Sequence, residues 1–136
     1  MIRPLVHDNL FLSMPSTPAG KEDLAIARDL LDTLNAHKST CVGMAANMIG
    51  FAKRIIAIAP LSVPILMLNP QILKKSGPYS TREGCLCHEG TREVTRYQQI
   101  EVAWQDSGFQ QHSASFEGFT AQIIQHETDH LEGILI

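Results

Sequence analysis

Residues 118–133 read GFTAQIIQHETDHLEG. Phe119, Ile123, Ile124 and Leu131, with Ala121 beside them, recur at helical spacing, and the run opens at Gly118 and stops at Gly133. On that helix His126 and His130 are four residues apart, so both imidazoles leave one face and can hold one metal ion at about 2.0–2.1 Å. Glu127 lies one step round the helix. From there its carboxylate reaches a water held beside the metal without being a ligand itself, which is the place for a general base. Two histidines do not complete a hydrolytic site of this kind; it needs a third protein ligand and one open position. His112, His88, Glu117 and either thiol of the Cys85-Leu86-Cys87 run could serve, and spacing alone does not choose among them. In an extended segment Cys85 and Cys87 would point to the same side.

The rest of the chain supplies the scaffold. Thr17-Pro18 reads as an N-cap followed by a first-turn proline, with Glu22 and Asp23 near the positive end of the helix dipole. Leu24, Ala27, Leu30, Leu31 and Leu34 then form one apolar stripe, which predicts a helix over 18–36. RIIAIAP and VPILMLNP are short apolar, β-branched runs, each closed by a proline, and suit two strands joined at Leu61-Ser62. IEVAWQD and QHSASFEG alternate around Ser107-Gly108 as a hairpin would. An initial helix, antiparallel or mixed sheets and a closing metal-binding helix around which they pack give an α+β class, expected as a single domain over 1–136.

Composition narrows the function. The net charge is −3 and the 11 Lys and Arg are scattered, so no surface for tracking phosphates, and hence no direct nucleic-acid binding, is expected. No window approaches the apolar length of a membrane span or a signal peptide, so the expectation is a soluble cytoplasmic protein. The odd count of 3 cysteines argues against a disulfide framework and leaves thiols open to metal or catalysis.

Three stretches taken together, CVGMAANMIG at 41–50, REGCLCHEG at 82–90 and QHETDHLEG at 125–133, resemble in order and spacing the three signature motifs of peptide deformylases. Those are metal-dependent enzymes that remove the N-formyl group from nascent bacterial proteins. KEDLAIARDLLDTL also resembles the first helix of that family. The resemblance implies Cys85 as the third ligand beside His126 and His130, Glu127 as the acid/base residue, and ferrous iron as the native metal, with zinc or nickel as substitutes. It implies that the backbone N–H of Leu86 points at the developing oxyanion. It further implies a pocket for the substrate methionine drawn from Val42, Phe119 and Ile123, with Gly43 letting a peptide backbone approach. The implied partner is an N-formylmethionyl peptide, met at the ribosome.

The first motif departs from the family pattern in places that bear on the mechanism. Cys41 replaces its first glycine, and Met48 stands where a glutamine is usual. That glutamine's amide donates to the oxyanion, whereas a thioether cannot donate. Two readings follow: a deformylase whose turnover is lowered at Met48, or a deformylase-like protein that keeps metal and peptide binding without useful catalysis. Retention of Glu127 with a full ligand set favours the enzyme. A broader metalloprotease reading is the weaker expectation, because it needs a larger substrate cleft and usually a further downstream ligand, and Ile134, Leu135 and their neighbours after His130 offer no Cys, His or Asp.

Overall fold

The computed structural model describes residues 1–61, 63–85 and 88–136, and for residues 88 and 89 the backbone only. The Leu86 N–H, the Cys87 thiol and the His88 ring, each given a role or a candidacy above, therefore lie outside the described residues.

Five strands form one antiparallel sheet in sequence order: β1 (Gly43–Ala45), β2 (Ile55–Ile58), β3 (Ile65–Cys85), β4 (His88–Gln105) and β5 (Gln111–Glu117). Among the described residues three α-helices, α1 (Asn9–Leu12), α2 (Leu24–Ala36) and α3 (Gly118–Leu131), complete the α+β fold. All four residues of β2 are buried, as a central apolar run dictates. Together with Leu30 and Leu34 of α2 and Ile124 and Leu131 of α3, they form the core. Each such Leu or Ile contributes about 1.5–3 kcal/mol by leaving water. Among the described residues no helix is long and apolar enough to cross a membrane.

Two sequence expectations are corrected. The helix expected over 18–36 begins later than residue 18, because Thr17 is already bonded as a strand: its N–H donates to Ala52 O at 2.9 Å and its carbonyl accepts from Arg54 N at 2.8 Å. A 3-10 turn, Lys21–Asp23, intervenes, and Asp23 Oδ2 accepts from Gly20 N before α2 starts at Leu24. The run VPILMLNP is not closed by its proline either. β3 continues through Pro70 because the register shifts between Leu68 and Gln71, and a bulge has no ladder bond for the missing N–H to break. Asn69, at φ 52°, makes the turn there, and its amide ties the bulge to Ala19 and Gln105.

The consequence for function is the length of β3 and β4. Their hairpin pairs from Leu68↔Gln105 out to Cys85↔His88, so its far end carries the second motif across to α3. The Ser107-Gly108 turn is as expected: Asp106 Oδ1 accepts from Gly108 N and Gln110 N, and β4 and β5 pair either side of it.

Candidate metal centre

The last residue of β3 and two residues of α3 converge. Cys85 Sγ lies 3.4 Å from His130 Nε2, which lies 3.2 Å from His126 Nε2. The three ligand atoms are all within 4.8 Å of one another. A tetrahedral ion with bonds of about 2.0–2.3 Å sets its ligand atoms roughly 3.3–3.8 Å apart, so this donor set fits one. Both imidazoles present the same nitrogen to that point, as the four-residue spacing requires. Of the other candidate ligands, His112 bonds Asp106 Oδ2 at 2.7 Å and stacks on Trp104, while Glu117 stands exposed at the N-terminal end of α3, the end away from His126 and His130. The structure does not bring either to the centre.

Behind the ligands lies a charged network whose centre, Glu83, the sequence reading did not single out. Glu83 precedes Cys85 by two residues on β3, and Glu83 Oε1 is 2.8 Å from His126 Nδ1. Arg96, on β4, grips Glu83 through Nε and Nη2 at 2.7–3.2 Å and reaches Asp129 of α3 at 2.6 Å. Gln122 Nε2 donates to Glu83 Oε2 at 2.8 Å. Arg96 is 4% and Glu83 8% exposed, so each charge depends on the other for compensation. A metal-bound histidine is oriented by a carboxylate on its other nitrogen, and Glu83 holds that position for His126. The usable signal was the alternation in REGC, which places an acid and a thiol on one side of a strand. Arg92, the other arginine close after the second motif, donates to Leu135 O at 3.2 Å.

The electrostatics favour a cation. Burial pushes the Glu83 carboxyl up, but hydrogen bonds from His126, Arg96 and Gln122 outweigh it and hold the group at about 2. Burial pushes His126 down, yet Cys85, Glu83 and Glu127 together raise it to about 10. Negative charge thus surrounds the His126 ring, and a divalent ion on its Nε2 can take the place of the proton it attracts.

Glu127 is 4% exposed, and its Oε1 has no hydrogen-bond partner among the described residues. Burial is the main cause pushing its carboxyl up, opposed by His126 and His130. The carboxylate faces a cleft of about 480 Å³ lined by Cys41, Val42, Gly43, Met48, Phe119 and Ile123, among others. All four residues assigned to substrate binding therefore lie on one cavity, but two positions differ from expectation. Phe119 is 57% exposed, at the rim rather than in the buried stripe of α3. At Gly43 the close approach is made by α3 itself: a Cβ there would come 2.7 Å from Ile123 Cγ2 and 2.8 Å from Glu127 Oε2. Gly43→Ala is therefore expected to displace Glu127 and lower kcat by about 10²-fold, since misplacing a reacting group by about 1 Å costs that much. Steady-state kinetics beside a metal titration will test it; unchanged kcat means Glu127 yields without consequence.

Met48 is 1% exposed, and its Sδ accepts from Ala45 N at 3.4 Å. The thioether thus closes the 3-10 turn Ala46–Ile49 and offers no donor to the cleft. Cys41 donates its thiol proton to Gly43 O at 2.8 Å, and burial, with Glu127 and Cys85 nearby, pushes it up to about 11. It is a protonated wall of the cleft, not a thiolate ligand.

Comparison with known proteins agrees with this geometry. A family model described as polypeptide deformylase matches residues 5–136. The chain is 51% identical over 136 residues to a peptide deformylase of Clostridium beijerinckii, covering 100% of both. It is 33% identical to one of Aquifex aeolicus, covering 98% of the chain and 85% of the relative. Among solved structures, the Thermotoga maritima peptide deformylase matches at TM-score 0.88 and 29% identity, covering 99% of this chain and 94% of that one. The actinonin-bound class I type b enzyme of Acinetobacter baumannii matches at TM-score 0.88 and 29% identity, covering 99% and 95%.

Proposed function

The chain belongs to the polypeptide deformylase family, a metal-dependent family that acts on N-formylmethionyl peptides, and carries its deformylase function; from that premise we propose how its own residues divide the work. Cys85, His126 and His130 hold the metal, ferrous iron in the cell with zinc or nickel as substitutes. The metal, when bound, supplies Lewis acidity to a water and to the formyl oxygen. Glu127 takes the proton of the attacking water and returns it to the amine nitrogen as the C–N bond breaks. Val42, Phe119 and Ile123 hold the methionine side chain, and the resemblance assigns the Leu86 N–H the part of donor to the oxyanion. Glu83, locked by Arg96, keeps the His126 ring turned toward the metal. The substrate is met on nascent chains at the ribosome, in the cytoplasm.

The observation that carries this reading is the convergence of three ligand atoms, with Cys85 and His126 lining a cleft, beside a buried carboxylate oxygen that has no hydrogen-bond partner among the described residues. Anaerobic purification with metal analysis, coupled to hydrolysis of formyl-Met-Ala-Ser, tests it. One iron per chain with formate release is the expected result, and stoichiometric metal without formate release favours a binding role instead.

Met48 bears on the rate. A glutamine there could accept the Ala45 N–H through Oε1 and turn its amide N–H into the cleft, which the thioether cannot do. Removing one oxyanion donor from a hydrolase costs about 10²–10³ in kcat, so supplying one should recover part of that. Met48→Gln is expected to raise kcat at least about tenfold with a smaller change in KM, because the bond strengthens as charge develops on the oxygen. No gain in kcat would show that oxyanion stabilisation does not limit this site.

A further inference from the structure

Besides Glu127 Oε1, three buried side-chain atoms have no hydrogen-bond partner among the described residues: His130 Nδ1, Asn47 Oδ1 and Ser16 Oγ. Their residues are 1%, 0% and 8% exposed. Polar groups this deep are almost always bonded, to protein or to ordered water. The three are anchored to neighbouring points on the C-terminal turn of α3. Asn47 Nδ2 donates to His130 O at 2.8 Å, and Ser16 N donates to Leu131 O at 2.8 Å. A carbonyl only accepts, so Asn47 must present its NH₂ to His130 O, which fixes the orientation of Oδ1. His130 Nε2 faces Cys85 and His126. With Nε2 given to a metal, the ring proton sits on Nδ1, on the other side of the ring, and needs an acceptor.

The geometry points to Asn47 as a positioning residue for His130. Its amide N–H fixes the backbone of the ligand, and its Oδ1, with Ser16 Oγ, holds one buried water that accepts the Nδ1 proton. One donor and two acceptors give that water three partners, the usual number for a buried water. The two histidines are thus supported differently: His126 by the Glu83 carboxylate, His130 by a neutral amide through solvent. A neutral support at His130 adds no further anion to a centre that already faces Glu83, Glu127 and Cys85.

This inference rests on His130 being a ligand through Nε2, and the experiment separates the two. In the zinc-loaded protein, nitrogen-15 NMR of the histidine rings should show His130 with its proton on Nδ1 and exchanging slowly with solvent. Asn47→Leu, similar in size and unable to hydrogen-bond, should weaken zinc binding by about 10–100-fold in competition with a chelator and speed that exchange. Ser16→Ala, which removes one partner of the water, should speed the exchange with a smaller loss of affinity, and decides the matter alone should Asn47→Leu not fold. A purely structural Asn47 would lower the melting temperature of metal-free and zinc-loaded protein alike while leaving affinity and exchange at parent values, and that result overturns the proposal. If instead His130→Ala binds zinc as the parent does, the ligand assignment itself is what fails.

Discussion

Glu127→Gln is expected to lower kcat for a formyl-methionyl peptide by about 10²–10⁴, the range that a positioned proton-transfer group contributes, while the protein still binds one metal ion per chain. The substitution keeps the shape of a side chain packed against Gly43 and removes only its capacity to take a proton. Glu127 is not among the three converging ligand atoms, so metal content should hold. Its Oε1 makes no bond to protein among the described residues, so no structural partner is lost. The decisive comparison is the ratio of formate release in parent and variant at equal metal occupancy. Equal rates would remove Glu127 from the proton path, and loss of metal would mean that the carboxylate is a ligand after all.

The parts of this site that were legible in the sequence are those encoded by local period. Four-residue spacing put His126 and His130 on one face of a helix, and the structure brings their Nε2 atoms within 3.2 Å. The choice of Cys85 over His112 was not legible from spacing, because it depends on where a long hairpin ends. β3 and β4 stay paired from Leu68 to Cys85, past a proline that reads locally as a stop. The bulge at Asn69-Pro70 is what lets that strand continue, and it is a tertiary arrangement: Asn69 is tied to Ala19 and Gln105, far away in sequence. The same holds for Thr17, which reads as a cap but is taken as a strand partner by residues 52–54.

Arg96 shows the limit most clearly. In sequence it resembles, with Arg92, the two arginines that follow the second motif in deformylases, but the usual proline and one residue between them are missing and the sequence assigns it no role. Folded, it is buried between Glu83 of the hairpin and Asp129 of the metal helix, so it joins the two elements that supply the ligands. Glu83 could have been suspected from its two-residue offset to Cys85, since strand period alone aligns them. Its partner Arg96 is not readable even from the ladder, since the register of β3 and β4 sets Arg92 opposite Glu83 and Tyr79 opposite Arg96, while it is Arg96 that closes on Glu83 in the folded chain.

Cys85→Ala is expected to abolish stoichiometric metal binding and reduce formyl hydrolysis to background. Two imidazoles cannot replace a set of three ligands for an ion that needs an open fourth position, and the thiolate is the only anionic member of the set. The variant should fold, because Cys85 is half-buried at the tip of a hairpin whose ladder holds without the side chain. Its melting temperature should equal that of metal-free parent protein and stop responding to added metal. In the parent, an ion at about 100 times its Kd stabilises the folded state by about 2.7 kcal/mol, so the response is easily measured. The neighbouring thiol, Cys87, is the natural rival. If Cys85→Ala retains one ion per chain at parent affinity, the ligand assignment fails, and metal lost from Cys87→Ala but not from Cys85→Ala would transfer the role to Cys87. Loss in Cys85→Ala with retention in Cys87→Ala is the expected pattern, because it is Cys85 Sγ that lies 3.4 Å from His130 Nε2.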